Sequence, residues 1–420
     1  MSSDSFSQSV SIDRDETRAA FDVYSRDWVE HGPGVRSIIA AADQDQGCCI
    51  VNAHAAAIHM ASESASGFRV ARRYLMRARA TARDANEREQ QFSAAVYDWW
   101  RGNSTSALER IVELNLAHPG DAVAAKWAQY LAFNAGDGEA MLRVSESVVS
   151  SRPDLAEAWS MHAFSLEQAF RLSEAEACAG RALSMKQGDA WAQHAMAHVF
   201  YTKGLPVEGA AFLEHHRDGW TEKSVFIREH NSWHLALFYL AQKRYDEALD
   251  LFDSTLWGET PDVAQEQIGA ISFLWRLELL GVDAGDRWTA IADKIQERWH
   301  EHILPFLDLH YVYALARGGR RQAVQAFLAS MERRGESDNS GVWQSLAIPC
   351  ARGLAKFVDQ DYARAAELIA PLLGRLQFIG GSHVQRDVIA RTWIYARARK
   401  NRARVAAFKG DRRVEMPVAM

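Results

Sequence analysis

Residues 191–235 read WAQHAMAHVFYTKGLPVEGAAFLEHHRDGWTEKSVFIREHNSWHL. Two histidine pairs stand in this stretch. His194 and His198 close the run WAQHAMAH, and His230 and His234 bracket HNSWH, each pair four residues apart. On an α-helix, positions i and i+4 share a face, one turn above the other. Equivalent members of the two pairs are 36 residues apart, close to the length of one helix-turn-helix repeat. The stretch therefore reads as two successive helical hairpins, each presenting a two-armed imidazole grip.

Repetition extends outward from here. The run GNSTSALERIVELNLAHPGDAVAAKW (102–127) ends one helix at a Pro-Gly-Asp stop and opens the next, and SVVSSRPDLAEAW (147–159) repeats that ending. Pro119 and Pro153 are 34 residues apart, the period of the tetratricopeptide (TPR) repeat. The segments KRYDEALDLFD, RRQAVQAF and DYARAAELIAPLL share one opening for a second helix, with alanine where two antiparallel helices cross. Longer inserts interrupt the register at 213–226, 254–261 and 334–341. No stretch alternates with period two between hairpin turns, so no strand is expected. The fold class that follows is all-α: a TPR-like α/α superhelix, a solenoid of antiparallel helix hairpins. We expect a frayed, Ser- and Asp-rich N-terminus over 1–14 and a single repeat domain over 15–415.

Composition narrows the function classes. The chain has 420 residues, 48 % hydrophobic and 24 % charged, which is ordinary for a globular protein. A net charge of −6 argues against a general affinity for nucleic acid. Four cysteines (Cys48, Cys49, Cys178, Cys350) make no disulfide framework at this length, and neighbouring Cys48 and Cys49 read as small core residues. The polar N-terminus has no apolar core for a secretory signal, and no run is long enough to cross a membrane. The expected location is the cytoplasm; self-association is left open.

The chemistry-bearing residues recur at the same place in the repeat. GDAWAQHAMAH, REHNSWHLAL, PFLDLHYVYAL and GGSHVQRDVIA all fall where a first helix begins, and first helices of a TPR stack line its concave side. Imidazoles at HxxxH spacing hold ions such as Zn, Fe or Ni, so His194, His198, His230 and His234 are candidate ligands for a divalent transition metal. Such an ion could activate water, with Asp308, Asp387 or Glu229 as base. Ala195 follows His194, so the HExxH signature is absent. Without a metal, His194, His198, His234, Asp308 and Asp387 could act as acids and bases, with Arg386 holding an anion. Plain interhelical hydrogen bonding would also explain the histidines. Asp308 and His310 are two apart and cannot share a face; His383 and Asp387 form a third i, i+4 pair. Gly380-Gly381-Ser382 could offer backbone N–H groups to an anion or simply form a turn with Ser382 as N-cap. Trp233 would wall the pocket, and the other tryptophans pack helix hairpins.

Taken together, DAWAQHAMAH, HNSWHLALFYLAQKRYDEALDLFD, RLELLGVDAGDRW, HILPFLDLH, LAIPCARGLAKF and IGGSHVQRDV resemble the tetratricopeptide repeat protein 38 family, from about Thr17 to Ala407. That resemblance implies a TPR-like superhelix more than an activity. By motif match it singles out His194, His198, His230, Asn231, His234, Asp308, His310, Gly380, Gly381, Ser382, Gln385, Arg386 and Asp387. The chain departs from the pattern with His383 where Asn is expected and Val384 where Ala is expected.

Nine of the 15 histidines lie between His194 and His310, which favours one dense pocket over a peptide groove spread along many repeats. The sequence thus leads to a concave pocket that binds a small molecule or short peptide. His230, Asn231, Trp233, His310, Gly381, Ser382, His383, Gln385 and Arg386 are its expected lining. The alternative is a hydrolase of a small amide or ester, metal-dependent or not, using the same residues.

Overall fold

A computed structural model describes residues 2–411, with side chains over 3–401. It divides into two compact units, 1–270 and 271–420, and the boundary falls inside the helix Ala264–Leu279. The sequence reading took 15–415 as one repeat domain; the two units are described in turn.

In the first unit, antiparallel hairpins follow one another. Four successive first helices, Ala122–Ala135, Ala156–Gln168, Ala190–Lys203 and Val225–Ala241, start 34, 34 and 35 residues apart. That is the TPR period in three dimensions. Each first helix packs on its own second helix and on the next first helix. Asp121, Asp137 and Asp189 start helices by accepting N–H bonds from Ala124, Ala140 and Ala192, satisfying donors that a helix leaves open at its first turn. Ala107, Ala140 and Ala175, at the crossing positions, are fully buried.

The packing explains why polar residues end up inside. A helix with neighbours on several sides has no solvent face. In Ala190–Lys203 every residue from Ala192 to Val199 is buried, and in Val225–Ala241 every residue from Asn231 to Leu240. The histidines on these helices are carried into the interior by position.

The N-terminal segment is a second correction. Ser2–Ser3 pairs antiparallel with Ser9–Val10, a two-residue ladder where no strand was expected. Phe6, Val10 and Ile12 are buried, and the Ser11 N–H donates to Glu89 at 2.8 Å. Three apolar side chains at near-alternate positions offset the ordering cost that the Ser-rich composition suggested would prevail.

The second unit repeats the hairpin logic. Pro305–Arg317 packs on Arg287–Ile295 and on Ile348–Val358; the latter pairs with Tyr362–Ile369, which packs on His383–Asp411. Among the described residues no helix is long and apolar enough to cross a membrane.

Candidate metal centre

The two HxxxH pairs meet. His194 and His198 project from Ala190–Lys203, and His230 and His234 from Val225–Ala241. Ring centroids are 4.6 Å apart within the first pair and 5.1 Å within the second. Across the helices, His194 lies 4.8 Å from His230 and 5.0 Å from His234, and His198 lies 4.6 Å from His234. One ring nitrogen from each of the four can be chosen so that all lie within 4.8 Å of one another. His194, His198 and His234 are buried, while His230 is half-buried.

Aromatic rings wall the cluster. Trp191 stacks on His194 at 4.3 Å, and Phe164 lies 5.2 Å from His194 and 5.4 Å from His198. Phe226 and Trp233 stack on His230 at 5.6 and 5.5 Å. Asn231 fixes the two helices against each other, its Nδ2 donating to the Ala190 carbonyl at 3.1 Å. Burial among these rings disfavours the charged imidazolium. Burial holds His194 well below the usual histidine range, and His198, His230, His234 and His31 lower it further. Burial, then His198, brings His230 down to about 3. Both rings are therefore neutral at neutral pH and keep a lone pair for a cation. Burial also brings the Lys126 ammonium, 2.6 Å from Nε2 of His31, down to about 7, which lessens its repulsion of a cation.

His194 carries the most telling detail. It is 1 % exposed, and neither of its ring nitrogens has a hydrogen-bond partner. A buried orphan polar group costs about 1–3 kcal/mol, so interhelical hydrogen bonding does not account for His194.

The carboxylate of the cluster is one that the sequence reading missed. Glu167, on the last turn of Ala156–Gln168 and fully buried, sets a carboxylate oxygen 3.2 Å from Nδ1 of His198. Thr202 Oγ1 donates to it at 2.9 Å and Gln168 Nε2 at 2.7 Å. A carboxylate on one imidazole nitrogen fixes the tautomer and leaves the other nitrogen as ligand, the usual support behind a metal-bound histidine. The available signal was local: an acidic residue at a helix C-terminus opposes the dipole there.

A cavity of about 20 Å³ adjoins His230, lined also by Phe226, Trp233, Glu229, Glu266 and Gly269. Burial pushes Glu229 up to about 9, and the charge and hydrogen bond of Glu266 and the charge of Glu259 add to it. Glu266 accepts from the Gly258 N–H and from Thr260 Oγ1, both at 2.7 Å. A larger cleft of about 320 Å³, also not foreseen, lies among Arg14, Asp45, Cys48, Cys49, Thr81 and Asp84. Burial pushes the thiols of Cys48 and Cys49 up to about 12 and 11, so neither is a nucleophile there.

The remaining candidates belong to the second unit, where most have structural partners. Asp308 and Asp387 were expected to supply the carboxylate. Asp308 instead holds Nδ1 of His302 at 2.5 Å, and Asp387 pairs with Arg276 at 2.6 Å and Arg391 at 2.8 Å. His310 bonds the Phe306 carbonyl through Nδ1 at 2.8 Å, one helical turn away, and its Nε2 has no partner. Gly380 and Gly381 adopt positive φ, and Ser382 with Gln385 forms a reciprocal cap: Gln385 N–H to Ser382 Oγ at 3.1 Å, Ser382 N–H to Gln385 Oε1 at 2.8 Å. The N–H groups of Gly380 and Ser382 are thus taken up, by the Gln377 carbonyl and by Gln385. Arg386 donates to the Gly381 carbonyl, and His383 opens the last helix half-buried.

Fold and geometry together define an all-α TPR-like helical-repeat protein with a buried four-imidazole cluster. No family model matches the sequence. Solved structures similar to it include a monomeric mutant of IFIT1 with Gppp-AAAA, at 12 % identity and TM-score 0.45, covering 89 % of each chain. Another is Naa15/Naa10 bound to HypK-THB, at 13 % identity and TM-score 0.28, covering 85 % of this chain and 63 % of that one. At these scores the fold assignment rests on the helices described above.

Proposed function

We propose that this chain is a cytoplasmic member of the tetratricopeptide repeat protein 38 family that binds a divalent transition metal at His194, His198, His230 and His234. The observation that carries the reading is the convergence of four imidazoles around His194, whose two nitrogens are buried and unpartnered. Neutral nitrogen donors suit Zn, Cu, Ni, Co or Fe better than Mg or Ca. Glu167 supports the set through His198. The unpaired cysteines agree with a reducing compartment. The reading commits to the metal, in preference to capture of a short peptide or hydrolysis of an amide or ester, because the four imidazoles converge.

The test is elemental analysis of protein purified without an affinity tag, then reloaded with Zn, Co or Ni. One ion per chain is expected, abolished by His194→Ala and by His234→Ala. No bound metal in either preparation ends the reading.

A further inference from the structure

A residue from the first helix lies over the shallow side of the histidine cluster. Of the rings around the cluster, Phe164 and Trp233 are buried, whereas Trp191 and Phe226 are half-buried, as is His230. These three mark the side nearest solvent. His31 covers it, stacking on Trp191 at 4.8 Å and on Phe226 at 5.9 Å. Those two rings stack in turn on His194 and His230.

His31 reaches this place because a helix ends there. Asp15–Glu30 stops at His31, and Pro33, two residues on, lacks the N–H to continue it. His31 has φ 56°, a left-handed cap position where glycine is usual. What the ring touches offsets that strain. Lys126 Nζ lies 2.6 Å from Nε2 of His31 and donates to the Val29 carbonyl at 3.0 Å. Burial holds His31 well below the usual histidine range, with Lys126, Lys223 and His230 adding to it, so the neutral ring accepts from Lys126. Lys186 Nζ meets Glu30 Oε2 at 2.6 Å, and the Ser224 N–H donates to the His31 carbonyl at 2.8 Å. Val29 is anchored in the core, but the turn beyond it is held by polar contacts, which water can replace when a segment lifts.

We propose that His31, carried on the turn 30–34, is a lid over the metal centre, held shut by Lys126, and that it sets how fast the ion is taken up and released. The inference rests on the metal reading above. His31 is not one of the four residues whose nitrogens converge, so it gates the ion without ligating it. An element that interacts equally with the empty and the loaded centre changes the rates in both directions and leaves the affinity where it was.

Cobalt(II) stoichiometry is measured first: wild type that binds no cobalt refutes the metal reading and takes this inference with it. Uptake of cobalt by metal-free protein, and its release to excess chelator, are then timed by stopped flow in wild type, His31→Gly and Lys126→Met. His31→Gly removes the ring and suits the left-handed backbone. It should still bind one ion per chain with unchanged affinity, while both rates rise by about tenfold, as when a charge-assisted hydrogen bond leaves the closed state. Lys126→Met should raise both rates in the same direction. Unchanged rates in loaded His31→Gly overturn the lid, because the ion then enters elsewhere. A lower affinity with unchanged uptake overturns it too, by making His31 a support of the bound ion. If His31→Gly does not fold, Lys126→Met decides by the same measure. If neither folds, hydrogen exchange in metal-free wild type decides: a Ser224 amide that exchanges only on global unfolding refutes the lid, and faster local exchange supports it.

Discussion

His194 is the residue whose surroundings conflict most with a purely structural role. A structural histidine in a helical core donates from one nitrogen and accepts at the other. This one does neither, and its neighbours are three further imidazoles, Trp191 and Phe164. A substitution separates the possibilities. His194→Leu removes an orphaned polar group and keeps most of the volume, so the metal-free protein should melt at the same temperature or higher. The relieved penalty is about 1–3 kcal/mol, set against imperfect packing of the new side chain. The same variant should take up no metal. A large loss of stability in the metal-free variant would instead show that the imidazole makes contacts on which the fold depends. At this scale the sequence was informative for His194, His198, His230 and His234, because i, i+4 spacing translates directly into a shared helix face. For Asp308 and Asp387 it did not show the ion-pair partners His302 and Arg276, which are chosen by packing and leave no local pattern.

At the scale of elements, the cluster is a product of three consecutive first helices. Two carry its histidines, and the third, Ala156–Gln168, brings Glu167 to the back of His198. The starts of these helices were legible from Pro153, from Asp189 and from the 34-residue period. That any of the three would be buried along eight or more consecutive residues was not, since burial on all sides depends on the neighbours. Glu167→Gln tests the contribution of the third helix. It preserves shape and should leave one ion per chain, while metal affinity falls about 10–100-fold, the usual effect of removing such support. Glu167→Asp should recover part of the loss. Competition with a chelator of known affinity measures it; an unchanged affinity would make Glu167 a packing residue.

At the scale of the molecule, the four-histidine cluster sets how stability responds to acid. His230 is lowered to about 3 and His194 well below its ordinary value, so the unfolded chain binds more protons than the folded one below about pH 6.5. Stability is then fully present above that pH and falls as acid is added, by up to about 1.4 kcal/mol per pH unit for each such histidine. Urea unfolding of metal-free protein at pH 7, 6 and 5 should show the loss, and His230→Leu should reduce it. A profile flat over that range would contradict the burial of neutral imidazoles. Division into two units was not legible, because the hairpin pattern continues through Ala264–Leu279 without a linker.

X-ray absorption on the zinc- or cobalt-loaded protein addresses the metal centre itself. The account predicts a shell of nitrogen alone at about 2.0–2.1 Å, with the outer scattering of imidazole rings and no sulfur. A sulfur shell near about 2.3 Å, or an oxygen-only shell, would place the ion elsewhere and contradict the four-histidine centre.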